Sequence, residues 1–200
     1  HRVINKGYKK IIVENVCGQR YIGDGLKGNM EIVINGTPGN DLAAFMDGPK
    51  IIVRGNAQDG VGNTMNAGEV IIYGDAGDIV GHSMRGGRIF VKGDVGYRVG
   101  IHMKAYKNLF PVVIVGGVAR DFLGEYMAGG LLVVLGLNPS VIKNSTFKVQ
   151  NDEVVGDFVG TGMHGGSIFI RGKVDKRCLG KEVKITDLTE DDYILLRKHI

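Results

Sequence analysis

Met46, Met65, Met84 and Met103 stand nineteen residues apart, and this period limits the open folds more than any other feature of the chain. Gly36, Gly55, Gly74 and Gly93 keep the same step. So do Gly62, Gly81 and Gly100, and an apolar column of Leu42, Val61, Val80 and Val99 runs beside them. The register resumes after small insertions at Gly116, Leu123, Gly124, Met127 and Gly136. After a longer excursion it returns at Val159, Gly160, Met163 and Gly172, which makes about seven turns. Regular glycine among short apolar runs marks a repeat architecture in which each unit buries its face only against its neighbours.

Each unit carries three to five apolar residues in a row: Ile32-Val33-Ile34, Ile51-Ile52-Val53, Val70-Ile71-Ile72, Ile89-Phe90-Val91, Val112 to Val115, Leu131 to Leu135 and Ile168-Phe169-Ile170. These runs are too short and too β-branched for helices, and glycine brackets them, so they read as strands. Alternation places Ile51 and Val53 toward a core and Ile52 and Arg54 away from it. The Arg54 column continues as Asn35, Tyr73, Lys92 and Arg171, which suits solvent, whereas the Ile52 column is an apolar stripe open to cover by a partner or another segment. Nineteen residues cannot hold a helix-containing repeat, and the leucine and asparagine ladder of leucine-rich repeats is missing. Stacked coils remain, about 4.8 Å apart, with the Val61 and Met65 columns filling the interior. The chain therefore reads as all-β, a single-stranded parallel β-helix whose end coils expose open edges.

Glycine makes up 33 of 200 residues, more than twice the usual share of about 7%. The recurring Ile, Val and Leu runs set this apart from disorder. Basic residues exceed acidic ones by four, but there is no Trp and there are few aromatics, so nucleic-acid binding is not expected. Cys17 and Cys178 lie far apart and outside any CxxC, which fits a reduced, cytoplasmic protein. No apolar run approaches the length of a membrane span. His1 is not an initiator residue and points to a processed or trimmed chain.

Three segments follow: a lead-in over 1–22 with a strand at Ile11-Ile12-Val13, the β-helix over 23–178, and a tail over 179–200. Thr189-Glu190-Asp191-Asp192 resembles a capping box, and Arg197-Lys198-His199 sit where a helix dipole favours cations. A short C-terminal α-helix is expected from about Glu190, with Tyr193, Leu196 and Ile200 as its apolar face, placed to protect one open edge.

No catalytic, cofactor or metal site is expected. Gly23 to Gly28 and Gly160 to Gly165 both spell GxGxxG, but both run into β-type segments rather than opening a helix, and both fall on the repeat's own glycines. Gly81 to Arg88 lacks the Gly-Lys-Ser/Thr ending of a phosphate loop. Asp59, Asp78, Asp121 and Asp157 share a column, with Asn40 before them and Tyr97 interrupting. Turn-forming side chains bonded to local backbone explain them, and a Ca²⁺ ladder is the sharper alternative. His82 and His102 fall one column apart and His164 lies elsewhere, without HxH or HExxH spacing. The methionine column, extended by Met127 and Met163, is core filling rather than a thioether array. Arg85, Arg88, Lys92, Arg98, Lys104 and Lys107 form a moderate basic patch.

The unit from Gly68 to Gly87, Gly-x-x-Ile-x-x-Gly-Asp-Ala-x-Asp-x-Val-Gly-x-x-Met-x-Gly-Gly, resembles the GXGXG domain at the C-terminus of the glutamate synthase large subunit. Gly39 to Met46, Gly55 to Gly62 and Gly124 to Gly136 are similar to further coils of that domain, and the resemblance covers residues 20 to 172. It implies a right-handed β-helix that packs between glutamine amidotransferase and FMN/iron–sulfur synthase domains and supplies no catalytic groups. The resemblance further implies a separate structural subunit of a split glutamate synthase, with those activities on partner chains; a homo-oligomer is a separate expectation alongside it. The same repeat is similar to the scaffold-like β-helix subunit of formylmethanofuran dehydrogenase, the second reading, and the Ile52 stripe leaves a free-standing β-helix binding module as a further alternative. Insertions at 107–110 and 137–153 are expected to form partner-facing loops.

Overall fold

The computed structural model describes residues 7–137 and 154–200. Eight strands make one parallel sheet in chain order: β1 Lys10–Cys17, β2 Glu31–Thr37, β3 Asp47–Arg54, β4 Ala67–Ile72, β5 Arg88–Val91, β6 Val112–Val115, β7 Ala128–Val134 and β8 Gly165–Ile170. Consecutive parallel strands, each reached after one circuit of the chain, make a β-solenoid of about seven turns. Ile32, Ile51, Val70 and Ile89 stand in register at the nineteen-residue step. Five residues are added before Val113 and seventeen between Leu132 and Ile168. Residues 138–153 of the second insertion lie outside the described residues.

The alternation within strands is as the apolar runs require. Ile51 and Val53 are buried, as are Val70, Ile72 and Ile89, whereas Arg54, Tyr73, Lys92 and Arg171 reach solvent. Leu42, Met46, Val61, Met65, Val80, Met84, Met103, Leu123 and Met127 close the interior from the opposite wall. Each such side chain contributes about 1.5–3 kcal/mol on burial, and the same contact repeats at every coil. Met163, in the last coil, is only half-buried. The strand at Ile11-Ile12-Val13 is more than a lead-in: β1 pairs with β2 from Lys10 to Cys17 and forms the first rung of the sheet.

The tail departs from expectation in two ways. Helix α1, Glu190–His199, starts at the Thr189 capping box as read, but it lies on the outer face of the sheet rather than over an edge. Leu195 and Leu196 pack against Val112, Ile114, Leu131 and Val133, with Phe90 and Phe169 alongside, and so cover the far half of the Ile52 stripe. Tyr193 and Ile200 stay 45% and 66% exposed, because the helix straddles its contact line with two consecutive leucines. The last coil is dressed instead by the segment before the helix. Leu179 bridges to Val159, Gly180 N–H donates to Val159 O at 2.7 Å, and Gly162 N–H donates to the Glu182 carboxylate at 2.9 Å. The insertion at 107–110 is a tight turn closed by paired Tyr106 and Leu109 backbone groups, and Phe110 stacks on His199 of α1 at 5.7 Å. That insertion thus serves the chain's own helix. Among the described residues, no helix is long and apolar enough to cross a membrane.

Candidate functional site

Opposite the sheet, every coil turns on three alternate residues with positive φ. One set is Gly60 (74°), Gly62 (69°) and Thr64 (54°); the next are Ile79, Gly81 and Ser83, then Arg98, Gly100 and His102, then Phe122, Gly124 and Tyr126. Two overlapping turns result, since Asn63 N–H donates to Gly60 O and Met65 N–H to Gly62 O, with positive φ at the third position of each. The alternation also splits the bonding between coils. Gly62 N–H donates back to Leu42 O at 2.8 Å, while Gly60 and Thr64 N–H donate forward to Asp78 O and His82 O. Both GxGxxG segments are instances of this device: Tyr21, Gly23 and Gly25 form one set and Phe158, Gly160 and Gly162 another.

Only the middle residue of each set points inward. A Cβ on Gly62 would overlap the Ile89 side chain across the core. The outer two positions point to solvent and carry large side chains despite a left-handed backbone that costs an L-residue roughly 1–2 kcal/mol. Tyr21, Phe45, Tyr126 and Phe158 are each about half exposed there. Strain retained at exposed aromatic positions, where glycine would relieve it, singles this face out as a site.

The side chains on the face touch one another across coils. The Arg98 guanidinium bonds to the Glu125 carboxylate and lies over the Phe122 ring at 4.6 Å. Phe122 stacks on Phe158 at 4.8 Å, His102 stacks on Tyr126 at 5.3 Å with planes 9° apart, and His82 follows at 6.2 Å from His102. Glu125 is buried, at 7% exposure, and its charge is met by Arg98. Partial burial holds His82 below its ordinary pKa, the neighbouring His102 adds to this, and Asp41 opposes it. The strip is therefore aromatic, largely neutral and pre-ordered, with one ion pair at its centre. Such a surface suits association with another macromolecule, for which rigid aromatic and arginine anchors are the usual determinants.

The aspartate column plays a structural part, though not the local one expected. Asp59 Oδ1 accepts Asp78 N–H at 2.9 Å, Asp78 Oδ1 accepts Tyr97 N–H at 2.9 Å, and Asp121 Oδ1 accepts Asp157 N–H at 3.0 Å. A second ladder, which the repeat columns alone did not reveal, links Asn56 to Asp75, Asp75 to Asp94 and Asp94 to Val118. Each acceptor reaches the next coil, not its own turn. The Gly-Asp pairs follow from this: a Cβ on Gly74 or Gly77 would overlap the Asn56 or Asp59 side chain arriving from the coil before. Glycine at 19-residue spacing directly before Asn56, Asp75 and Asp94, and again before Asp78, was the available signal. Among the described residues, no three His, Cys, Asp or Glu side chains gather as a metal site.

The remaining sequence-selected residues separate. The methionines fill the core, and Gly36, Gly55, Gly74 and Gly93 pass one over another along the sheet edge of the coils. Arg98 leaves the basic cluster to join the aromatic strip, while Arg88 stands near His199 beneath α1. Cys17 and Cys178 form no disulfide. His164 is exposed and lies outside the His82–His102–Tyr126 array.

Comparison with known proteins agrees with this geometry. An uncharacterized protein of Methanocaldococcus jannaschii is 52% identical over 197 residues, covering 98% of this chain and 73% of the relative. The GXGXG motif family matches residues 9–200, nearly the whole chain. The chain belongs to the GXGXG motif family.

Proposed function

We propose that this chain is a non-catalytic assembly subunit of a split glutamate synthase, acting in the cytoplasm in glutamate biosynthesis. It bridges a glutamine amidotransferase subunit and an FMN/iron–sulfur synthase subunit, and the chemistry belongs to them. The family match over residues 9–200 carries the reading. The aromatic strip around Arg98, Phe122, Tyr126 and Phe158 supports it, because it offers a rigid surface for a partner.

The test is reconstitution. The purified chain is mixed with the glutaminase and synthase subunits of a glutamate synthase, and the mixture is followed by gel filtration and by glutamine-dependent reductive amination of 2-oxoglutarate. Co-elution, together with activity that needs all three chains and is lost in the Phe122→Ala/Tyr126→Ala double variant, is the expected result. Full activity without this chain, or stable capture of a molybdopterin enzyme in place of these partners, would sink the reading. The second outcome would favour the formylmethanofuran dehydrogenase alternative.

A further inference from the structure

We infer that the open edge of β1 is a self-association surface, and that two copies of this chain join edge to edge through residues Lys10 to Glu14 about a twofold axis at Ile12. Lys9 C=O accepts Glu31 N–H at 2.9 Å and so faces β2. Backbone groups alternate in direction along a strand, so those of Lys10, Ile12 and Glu14 point away from the sheet and have no ladder partner among the described residues. Asn15 turns to φ 56° and the register shifts between Val13 and Val16, which confines the regular edge to these five residues.

That short segment is self-complementary when laid antiparallel on a copy of itself. With Ile12 opposite Ile12 of the second copy, all three outward-pointing residues find partners, and Lys10 of each copy faces Glu14 of the other. Other registers leave outward groups idle or place like charges together. The apolar surface matches as well. Ile12 is 57% exposed on the outer face, and Ile11 and Val13, only partly buried at the open end of the core, would close against their counterparts. Lys10 already bonds Glu31 at 2.7 Å and Glu14 accepts from Asn35 at 2.7 Å, so both side chains are held on the edge before association. The opposite end lacks this freedom, because residues 179–182 pack onto the last coil.

Sedimentation of the full chain up to about 0.1 mM tests the inference. A monomer–dimer equilibrium is expected. Glu14→Lys alone and Lys10→Glu alone should each weaken it about tenfold by setting like charges opposite one another. An equimolar mixture of the two variants should restore a dimer, now mixed, since one chain then presents two basic side chains at these positions and the other two acidic ones. Ile12→Pro should dissociate the dimer while leaving thermal unfolding of the monomer cooperative, because its N–H faces outward. A chain monomeric throughout that range, dimers unmoved by these changes, no mixed dimer, or open-ended polymers from head-to-tail pairing would each overturn the proposal. Loss of partner binding in the reconstitution experiment has no bearing on this result.

Discussion

The middle and outer positions of each turn share one backbone conformation and differ in what surrounds them. Gly62 and Thr64 have φ of 69° and 54°, yet one residue faces the core and the other faces water. The middle column holds glycine in every described set but one, where fully buried Ala43 keeps φ at 61°, whereas the outer columns accept threonine, isoleucine, arginine and aromatics. The largest expected effect therefore comes from a single methyl in the middle column. Gly62→Ala should cost about 2–5 kcal/mol, combining left-handed strain with overpacking against Ile89. Thr64→Ala, two residues away, should stay within about 0.5 kcal/mol. Urea unfolding of the two variants measures the contrast, and equal losses would show that backbone angle alone sets the glycine column.

The ladders that tie one turn to the next come second in size. Asp75→Ala removes the acceptor for Asp94 N–H and should destabilise by about 1–2 kcal/mol, with faster hydrogen exchange at that amide. Asp75→Asn should be nearly neutral, since Asn56 fills the same role one coil earlier with an amide oxygen at 2.9 Å. A large loss in Asp75→Asn would mean that charge, not geometry, drives the ladder.

A smaller change of opposite sign is expected at Ile79, an outer position where a β-branched residue holds φ at 52°. Asparagine tolerates that region far better, so Ile79→Asn should raise stability by about 0.5–1 kcal/mol in the same unfolding measurement. If it destabilises instead, burial of Ile79 outweighs the strain, and the inner and outer columns differ less than their contacts imply.

Strands, coil count and core columns were legible because the period and the inward Ile-x-Val pattern state the same thing twice. Asp59, Asp78 and Asp121 were legible as turn residues but not as acceptors for the next coil, because turn rules weigh only near neighbours and stacking brings a residue beside its counterpart one coil on. The aromatic strip was hidden for a related reason. Alternate left-handed positions are visible as paired glycines at Gly23 and Gly25, at Gly60 and Gly62 and at Gly160 and Gly162, while Arg98, His102, Phe122 and Tyr126 occupy the same backbone slots under other names. The helix start was readable from Thr189 and Asp192. Of its docking face only Leu196 was, since Leu195 is chosen by the shape of the outer sheet rather than by the helix's own pattern.

Acid should separate the turn face from the face that α1 covers, with the smallest effect of the set. Burial, with Lys198 and Arg88 nearby, holds His199 below its ordinary value of 6.5, and the ring docks neutral on Phe110. The Thr189 N–H and hydroxyl hold Asp192 below its ordinary value of 3.8. Both folded values are depressed, so each contribution is whole above the unfolded value and is lost as pH falls through the folded one. On acidification the C-terminal turn of α1 should loosen first, below about pH 6.5, and the capping box should fail only below the ordinary aspartate range. Amide exchange in 190–200 should rise in those two steps while the Gly62 amide, bonded to Leu42 O inside the solenoid, keeps its protection. His199→Leu should abolish the first step and leave the second. If exchange at Gly62 rises together with that of α1, the helix and the turns form one cooperative unit, and the outer face contributes to holding the coils in register.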